Sequence, residues 1–282
     1  MWNGGARASG NISKPIRNEN RKRVYTLMKI GAQLYTVRDA CQTLEGFAET
    51  LARVADMGFS TVQISGTCDY EGSWLAEQLK KNGLRCDLTH IELPEITDTT
   101  DALVEKHNRF GCPCIGIGYM PHEFRGSAAS VTRFCDTVAP AAARIRELGS
   151  MLMYHNHAFE YDKTPDGRTY MEMLSDRFTP AELGFTLDTY WVQYGGFDPA
   201  EEIRRLSGRI PCVHFKDMEI LPDGEKRYCP VGAGVLDFDG ILSALEGTGC
   251  RVAFIEQDEC FGADPFDCLK QSLAYLKSLG LN

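Results

Sequence analysis

The sequence predicts an α/β protein built as a single (β/α)8 TIM barrel. Short apolar runs alternate with longer amphipathic segments from Lys29 onward, which is the pattern of repeated βα units. The count of such units is eight, and a glycine stands just past several of the helical segments, where a left-handed cap is expected.

The first unit pairs a strand over Ile30–Tyr35 with a helix over Leu44–Met57, stopped by Gly58. The second has a strand over Thr61–Ser65 and a helix over Ser73–Lys81, closed by Gly83. Leu84–His90 and Thr99–Phe110 make the third unit, and Cys114–Gly118 with Ala128–Leu148 the fourth, ending at Gly149. In the second half the strands are Met151–His155, Leu183–Asp188, Ile210–His214 and Arg251–Glu256. Their helices are Thr169–Arg177, Pro199–Leu206, Phe238–Glu246 and Pro265–Leu279, with Pro199 suited to a first helical turn. An open, doubly wound sheet is the rival. It would want a Gly-x-Gly-x-x-Gly turn after the first strand, where the sequence reads Thr36-Val-Arg-Asp-Ala-Cys41, and neither that motif nor a Walker loop is found.

A chain of 282 residues with 43% hydrophobic and 24% charged residues is long enough for one barrel with a sizeable core. The expected division is a disordered basic extension over residues 1–28, or translated sequence upstream of a second start at Met28, followed by a barrel over 29–282. The first 28 residues carry six cations against Glu19, so of the net charge of −9 the remainder holds −14. Such an acidic body repels phosphodiester backbones, which excludes nucleic acid as the main partner. No apolar run is long enough to span a bilayer, and the basic start lacks the apolar segment of a signal peptide. Eleven scattered cysteines, several inside strand-like runs, read as free thiols of a cytoplasmic protein.

The chemistry collects where the late strands end. His155, Asp188, His214 and Glu256 terminate four consecutive strands, and in a (β/α)8 barrel those ends form the active-site rim. Imidazoles and carboxylates without cysteine suit a divalent Mn, Co, Zn, Fe or Mg rather than a structural zinc. Rim hydrogen bonds or ion pairs are the plainer reading of any one of them. Alternation along an extended strand puts His157 on the same side as His155, and Lys216 on the same side as His214.

The pieces Phe185-Thr-Leu-Asp-Thr189 with Trp191, Val213-His-Phe-Lys-Asp217, Pro230-Val-Gly-Ala-Gly-Val235 and Phe254-Ile-Glu-Gln-Asp258 resemble the sugar phosphate isomerase/epimerase superfamily of xylose isomerase-like barrels. The similarity covers about residues 29–280. It implies that Asp188, His214 and Glu256 are metal ligands. The superfamily's fourth ligand is usually a Glu ending the fifth strand, and here His155 aligns with it. That departure removes the pair of glutamates through which the 3-epimerases exchange a proton. Glu256, His157, Glu160 and Lys216 are then the candidate acid/base and charge-stabilising groups.

His90, Glu92, Trp191, Lys216 and Gln33 are the candidate substrate contacts. Asp217–Asp237, with its glycines, is a candidate lid. The resemblance implies a metal-dependent isomerase or epimerase acting on a small sugar, keto-sugar or cyclitol by proton abstraction next to a carbonyl. The Tyr154-His-Asn-His157 arrangement resembles an isomerase-like subgroup, some members of which act on 3-keto-glycosides and eliminate the aglycone, and an inosose-type dehydratase shares the same first step. A catalytically idle sugar-binding subunit is the non-enzymatic alternative. The apurinic endonucleases of the same wider fold would want a basic groove, which the acidic body disfavours. Barrels of this superfamily often assemble into dimers or tetramers, which leaves a homo-oligomer or a partner subunit open.

Overall fold

The computed structural model of the protein describes residues 28–281. Eight parallel strands close into a barrel: β1 (Lys29–Gln33), β2 (Thr61–Ile64), β3 (Arg85–Ile91), β4 (Cys114–Ile117), β5 (Met151–His155), β6 (Leu183–Asp188), β7 (Cys212–Phe215) and β10 (Val252–Ile255). Between β7 and β10 the chain adds an antiparallel hairpin, β8 (Asp217–Ile220) with β9 (Lys226–Cys229). The expected (β/α)8 barrel is the observed one. The basic segment 1–27 lies outside the described residues.

Side chains fill the barrel interior in a small apolar cluster of Leu88, Cys114, Met153, Cys212, Val252 and Phe254, while the larger core lies between strands and helices. All eleven cysteines are free thiols. Among the described residues no helix is long and apolar enough to cross a membrane.

Helix ends follow local chemistry. Thr43 and Ser127 cap the helices Leu44–Asp56 and Ala128–Glu147, and Thr169 with Glu172 forms a reciprocal capping box. The expected first strand stops two residues early, because the Gln33 side chain accepts the Tyr35 N–H at 3.2 Å and opens a 3-10 turn over Leu34–Cys41. Two short helices, Leu93–Asp98 and Thr189–Tyr194, follow β3 and β6 and were not expected from periodicity. Each is only six residues long, too short for a 3.6-residue repeat to show.

The expected lid is the β8–β9 hairpin and the loop after it. Asp217 anchors it: Oδ1 accepts the N–H groups of Met218 at 2.8 Å and Leu236 at 3.2 Å, and Oδ2 those of Gly232 at 2.9 Å and Gly234 at 3.0 Å.

His107 is fully buried between the helix Thr100–Phe110 and β3. Its Nδ1 meets the Leu103 carbonyl and its Nε2 the Thr89 hydroxyl, each at 2.8 Å, so that a neutral ring donates from Nδ1–H and accepts at Nε2. Burial lowers its pKa to about 4. The unfolded chain therefore binds a proton that the folded one refuses between about pH 6.5 and 4, and stability falls as pH falls through that window, by at most roughly 3 kcal/mol. Denaturant melts at pH 7 and pH 4.5 should show this loss, and His107→Gln should be less stable at pH 7 but show a shallower pH slope. Equal slopes in the two proteins would contradict the assignment.

Candidate active site

The site forms at the C-terminal end of the barrel because parallel pairing puts the ends of successive strands side by side. Asp188 on β6 pairs with His214 on β7, His214 with Phe254 on β10, and His155 on β5 with Thr186 on β6. One ligand atom from each of His155, Asp188, His214 and Glu256 lies within 4.8 Å of the others, and all four side chains are buried. The four residues expected to share a centre are brought together.

Neighbours set the orientation of each. His155 Nδ1–H donates to the Gly118 carbonyl at 3.0 Å, which turns Nε2 toward Asp188 Oδ2 at 3.2 Å. Burial works against a charged ring here, but Asp188 outweighs it and raises the His155 pKa. His214 Nε2–H donates to Gln63 Oε1 at 2.6 Å, so its Nδ1 carries the lone pair. That atom lies 2.8 Å from Glu256 Oε2 and 3.8 Å from Asp188 Oδ2. Burial lowers the His214 pKa, in keeping with a neutral ring. His214 Nδ1 is therefore buried without a hydrogen bond and faces the Glu256 oxygen with no proton between them. Asn156 braces the next strand, its Oδ1 accepting the Asp188 N–H at 2.9 Å.

Lys216 is also fully enclosed. Its ammonium lies 3.1 Å from Asp188, 2.9 Å from Glu256 and 3.0 Å from Asp258. Burial alone would discharge it, but these carboxylates hold its pKa well above the ordinary value. Conversely, despite burial, Lys216 first and then His214 keep Glu256 well below the usual carboxylate range. Asp258, absent from the expected set, was visible in the sequence only as the end of the Glu256-Gln-Asp258 run.

These residues fit a divalent cation. Two inward lone pairs face each other without a proton between them, and the donors are two nitrogens and two oxygens. Three carboxylates surround one ammonium, so a doubly charged ion would restore balance in a buried site.

Above this floor opens a cavity of about 670 Å³, lined by His90, Glu92, His155, His157, Lys216 and Glu256 among the expected residues, with Arg38, Tyr119, Tyr228, Asp258 and Glu259 added. His90 packs at ring-centroid distances of 5.2 Å from His155 and 5.7 Å from His214. Burial first, then the neighbouring imidazoles, push its pKa well down. Gly118 makes room for it, since a Cβ there would fall 2.8 Å from the His90 ring. The sequence showed this glycine without its reason. His157 sits among Tyr119, His155 and Trp191, with centroids 5.1, 4.7 and 5.3 Å away, and burial keeps its ring neutral.

Three expected residues are placed elsewhere. Glu160 is fully buried outside the cavity, where its carboxylate accepts the Tyr154 hydroxyl at 2.5 Å and the His157 N–H at 2.8 Å. It braces the turn after β5, and burial raises its pKa to about 7. The 3-10 turn over Phe159–Tyr161 carries it away from the strand's inward face. Gln33 is fully buried, holds the turn after β1 and does not line the cavity. Trp191 stands behind His157 as backing rather than in the lining itself. Gln63 was missed altogether. Its signal in the sequence was an amide side chain set between Val62 and Ile64, and the structure buries it fully.

Comparison with known proteins agrees with this architecture. An inosose dehydratase from Geobacillus kaustophilus is 29% identical over 161 residues, which is 51% of this chain and 51% of that protein. The chain thus spans about half the length of the curated relatives it matches. A crystal structure of a sugar phosphate isomerase/epimerase from Parabacteroides distasonis superposes with a TM-score of 0.76 at 20% identity, covering 90% of this chain and 95% of that one. The IOLI protein with a bound zinc atom superposes with a TM-score of 0.69 at 16% identity, covering 90% and 98%. The model of the xylose isomerase-like TIM barrel family matches residues 51–279. With a family-model match over most of its length, the chain belongs to the xylose isomerase-like TIM barrel family.

Proposed function

We propose that the protein is a metal-dependent enzyme that removes the proton next to the carbonyl of a small polyhydroxylated ketone, a keto-sugar or a cyclitol. The observation that carries this reading is the convergence of His155, Asp188, His214 and Glu256 on one buried point at the floor of a 670 Å³ cavity. These four residues would hold the divalent ion, which when bound supplies Lewis-acid stabilisation of charge on a substrate oxygen.

The remaining work falls to the chain's own groups. His157, a neutral imidazole on the cavity wall, is the base that takes the α-proton. The C–H electron pair becomes the new C=C bond, and the carbonyl oxygen takes up the charge. Lys216, held at the same floor by its three carboxylate partners, contributes its positive charge near that oxygen, while His90 and Glu92 orient hydroxyl groups from the cavity wall. Return of the proton to the neighbouring carbon gives an isomer, and return from the other face an epimer. Loss of a protonated β-hydroxyl as water gives a dehydration product.

Dehydration is the specific second reading. It is supported by the absence of Glu160 from the cavity, which leaves no second carboxylate at the end of β5, and by similarity to an inosose dehydratase. Elimination of an aglycone from a 3-keto-glycoside follows the same first step.

Asp188→Ala and Glu256→Ala should each lose metal on dialysis, read by elemental analysis, and lose solvent-deuterium exchange into ketoses and inososes by at least about 100-fold. Full exchange by metal-stripped protein would overturn the proposal. Gln63→Leu, which frees the His214 tautomer, should weaken metal affinity by about 10- to 100-fold in a chelator competition while thermal unfolding stays cooperative. His157→Ala should retain metal yet slow deuterium exchange by about 100- to 10,000-fold, and an unchanged rate would remove it from the base role. Product analysis by NMR separates isomer from dehydrated enone.

A further inference from the structure

We infer that the substrate is uncharged and carries no phosphate, because the loop after β7 and the helix starts that could receive one are already occupied by the protein's own carboxylates. This rests on the reading of the cavity as a site for a polyhydroxylated ketone.

Barrels of this class frequently seat a substrate phosphate on backbone N–H groups in the connections after their last two strands and on the helix that follows. The connection after β7 here has the look of such a seat, Pro230-Val-Gly-Ala-Gly-Val235. It is filled. The fully buried Asp217 carboxylate takes the N–H groups of Gly232, Gly234 and Leu236 together with that of Met218. There is no slack for a second anion, since a Cβ on Gly234 would already fall 2.4 Å from Asp217 Oδ1 and one on Gly232 would fall 2.3 Å from the Tyr275 ring. The loop is an anion nest closed by an internal anion.

The helix that follows this loop and the helix after the last barrel strand are capped in the same way. Asp237 Oδ1 accepts the Gly240 N–H at 3.1 Å at the start of Phe238–Leu245. Asp264 Oδ1 accepts the Phe266 N–H at 2.7 Å at the start of Pro265–Ser278, the helix after the last barrel strand.

The cavity adds a second, independent argument from charge. Its walls and floor bring together Glu92, Asp188, Glu256, Asp258 and Glu259 against two cations, Lys216 and Arg38. Lys216 is held by three of these carboxylates. Arg38 lies over the Tyr35 ring and donates through one terminal nitrogen to the Tyr35 and Asp258 carbonyls at 2.9 and 2.8 Å. Even with a divalent ion bound the site would remain acidic on balance, so a phosphate dianion meets net repulsion there and finds the loop after β7 closed. Hydroxyl groups, by contrast, suit Glu92 and Glu259, both exposed at the rim.

The test is equilibrium dialysis of the zinc-loaded full-length protein against two labelled pairs, D-fructose with D-fructose 6-phosphate and D-ribulose with D-ribulose 5-phosphate. Each ester should bind at least about tenfold more weakly than its free sugar, and Glu259→Lys should narrow that gap. An ester that binds as well as its free sugar, or better, overturns the inference whatever the turnover. Free sugars that bind without exchanging deuterium support the exclusion of phosphate and tell instead against the enolising chemistry.

Discussion

A fully enclosed ammonium, Lys216, organises the active end of this barrel. Placing a cation there is tolerable only because Asp188, Glu256 and Asp258 all approach within about 3 Å of it, and those carboxylates are in turn tolerable only because of it. The strand ends are held accordingly. Thr189 fastens the Lys216 backbone by accepting its N–H at 3.1 Å and donating to its carbonyl at 2.8 Å, while Asn156 holds the Asp188 backbone. Truncating any one member would leave an uncompensated buried charge, so charge balance and site geometry are one constraint.

Around that cluster two layers divide the labour. The inner layer, His90, His155, His157 and His214, presents imidazoles at ring spacings near 5 Å. Rings so close and so buried cannot all be charged, and their partners decide which nitrogen keeps a lone pair. The outer layer makes that decision: the Gly118 carbonyl for His155, Gln63 for His214 and Glu160 for the turn that carries His157. Glu160 thus bears on the cavity through geometry, by bracing the turn that carries His157.

The Asp217 carboxylate plays the corresponding part in the connection after β7. One buried anion organises four N–H groups and folds a glycine-rich loop against the barrel without any ligand. The neighbouring helices close their own N-termini with Asp237 and Asp264. These loops therefore satisfy their own N–H groups without a bound anion.

Period and punctuation made the barrel legible in the linear chain. Eight apolar runs fell within two or three residues of the observed strands, because strands buried on both faces must be apolar and glycines stop the helices before them. Strand-end chemistry likewise marked His155, Asp188, His214 and Glu256, since closure of a parallel barrel brings successive strand ends to one rim. Three-dimensional placement decided the rest. A polar residue near a strand end can face the cavity, as His157 does, or be swung behind the wall by a single 3-10 turn, as Glu160 is, and sequence spacing does not distinguish them. Gln63, on a strand separated from β7 by β1 and β10 in the barrel order, meets His214 across the interior at 2.6 Å, a contact between residues far apart in the chain. Residue type and period act locally and can be read along the chain. Which nitrogen keeps its lone pair, and which carboxylate ends beside which cation, depends on closure of the barrel, and only the folded structure sets it.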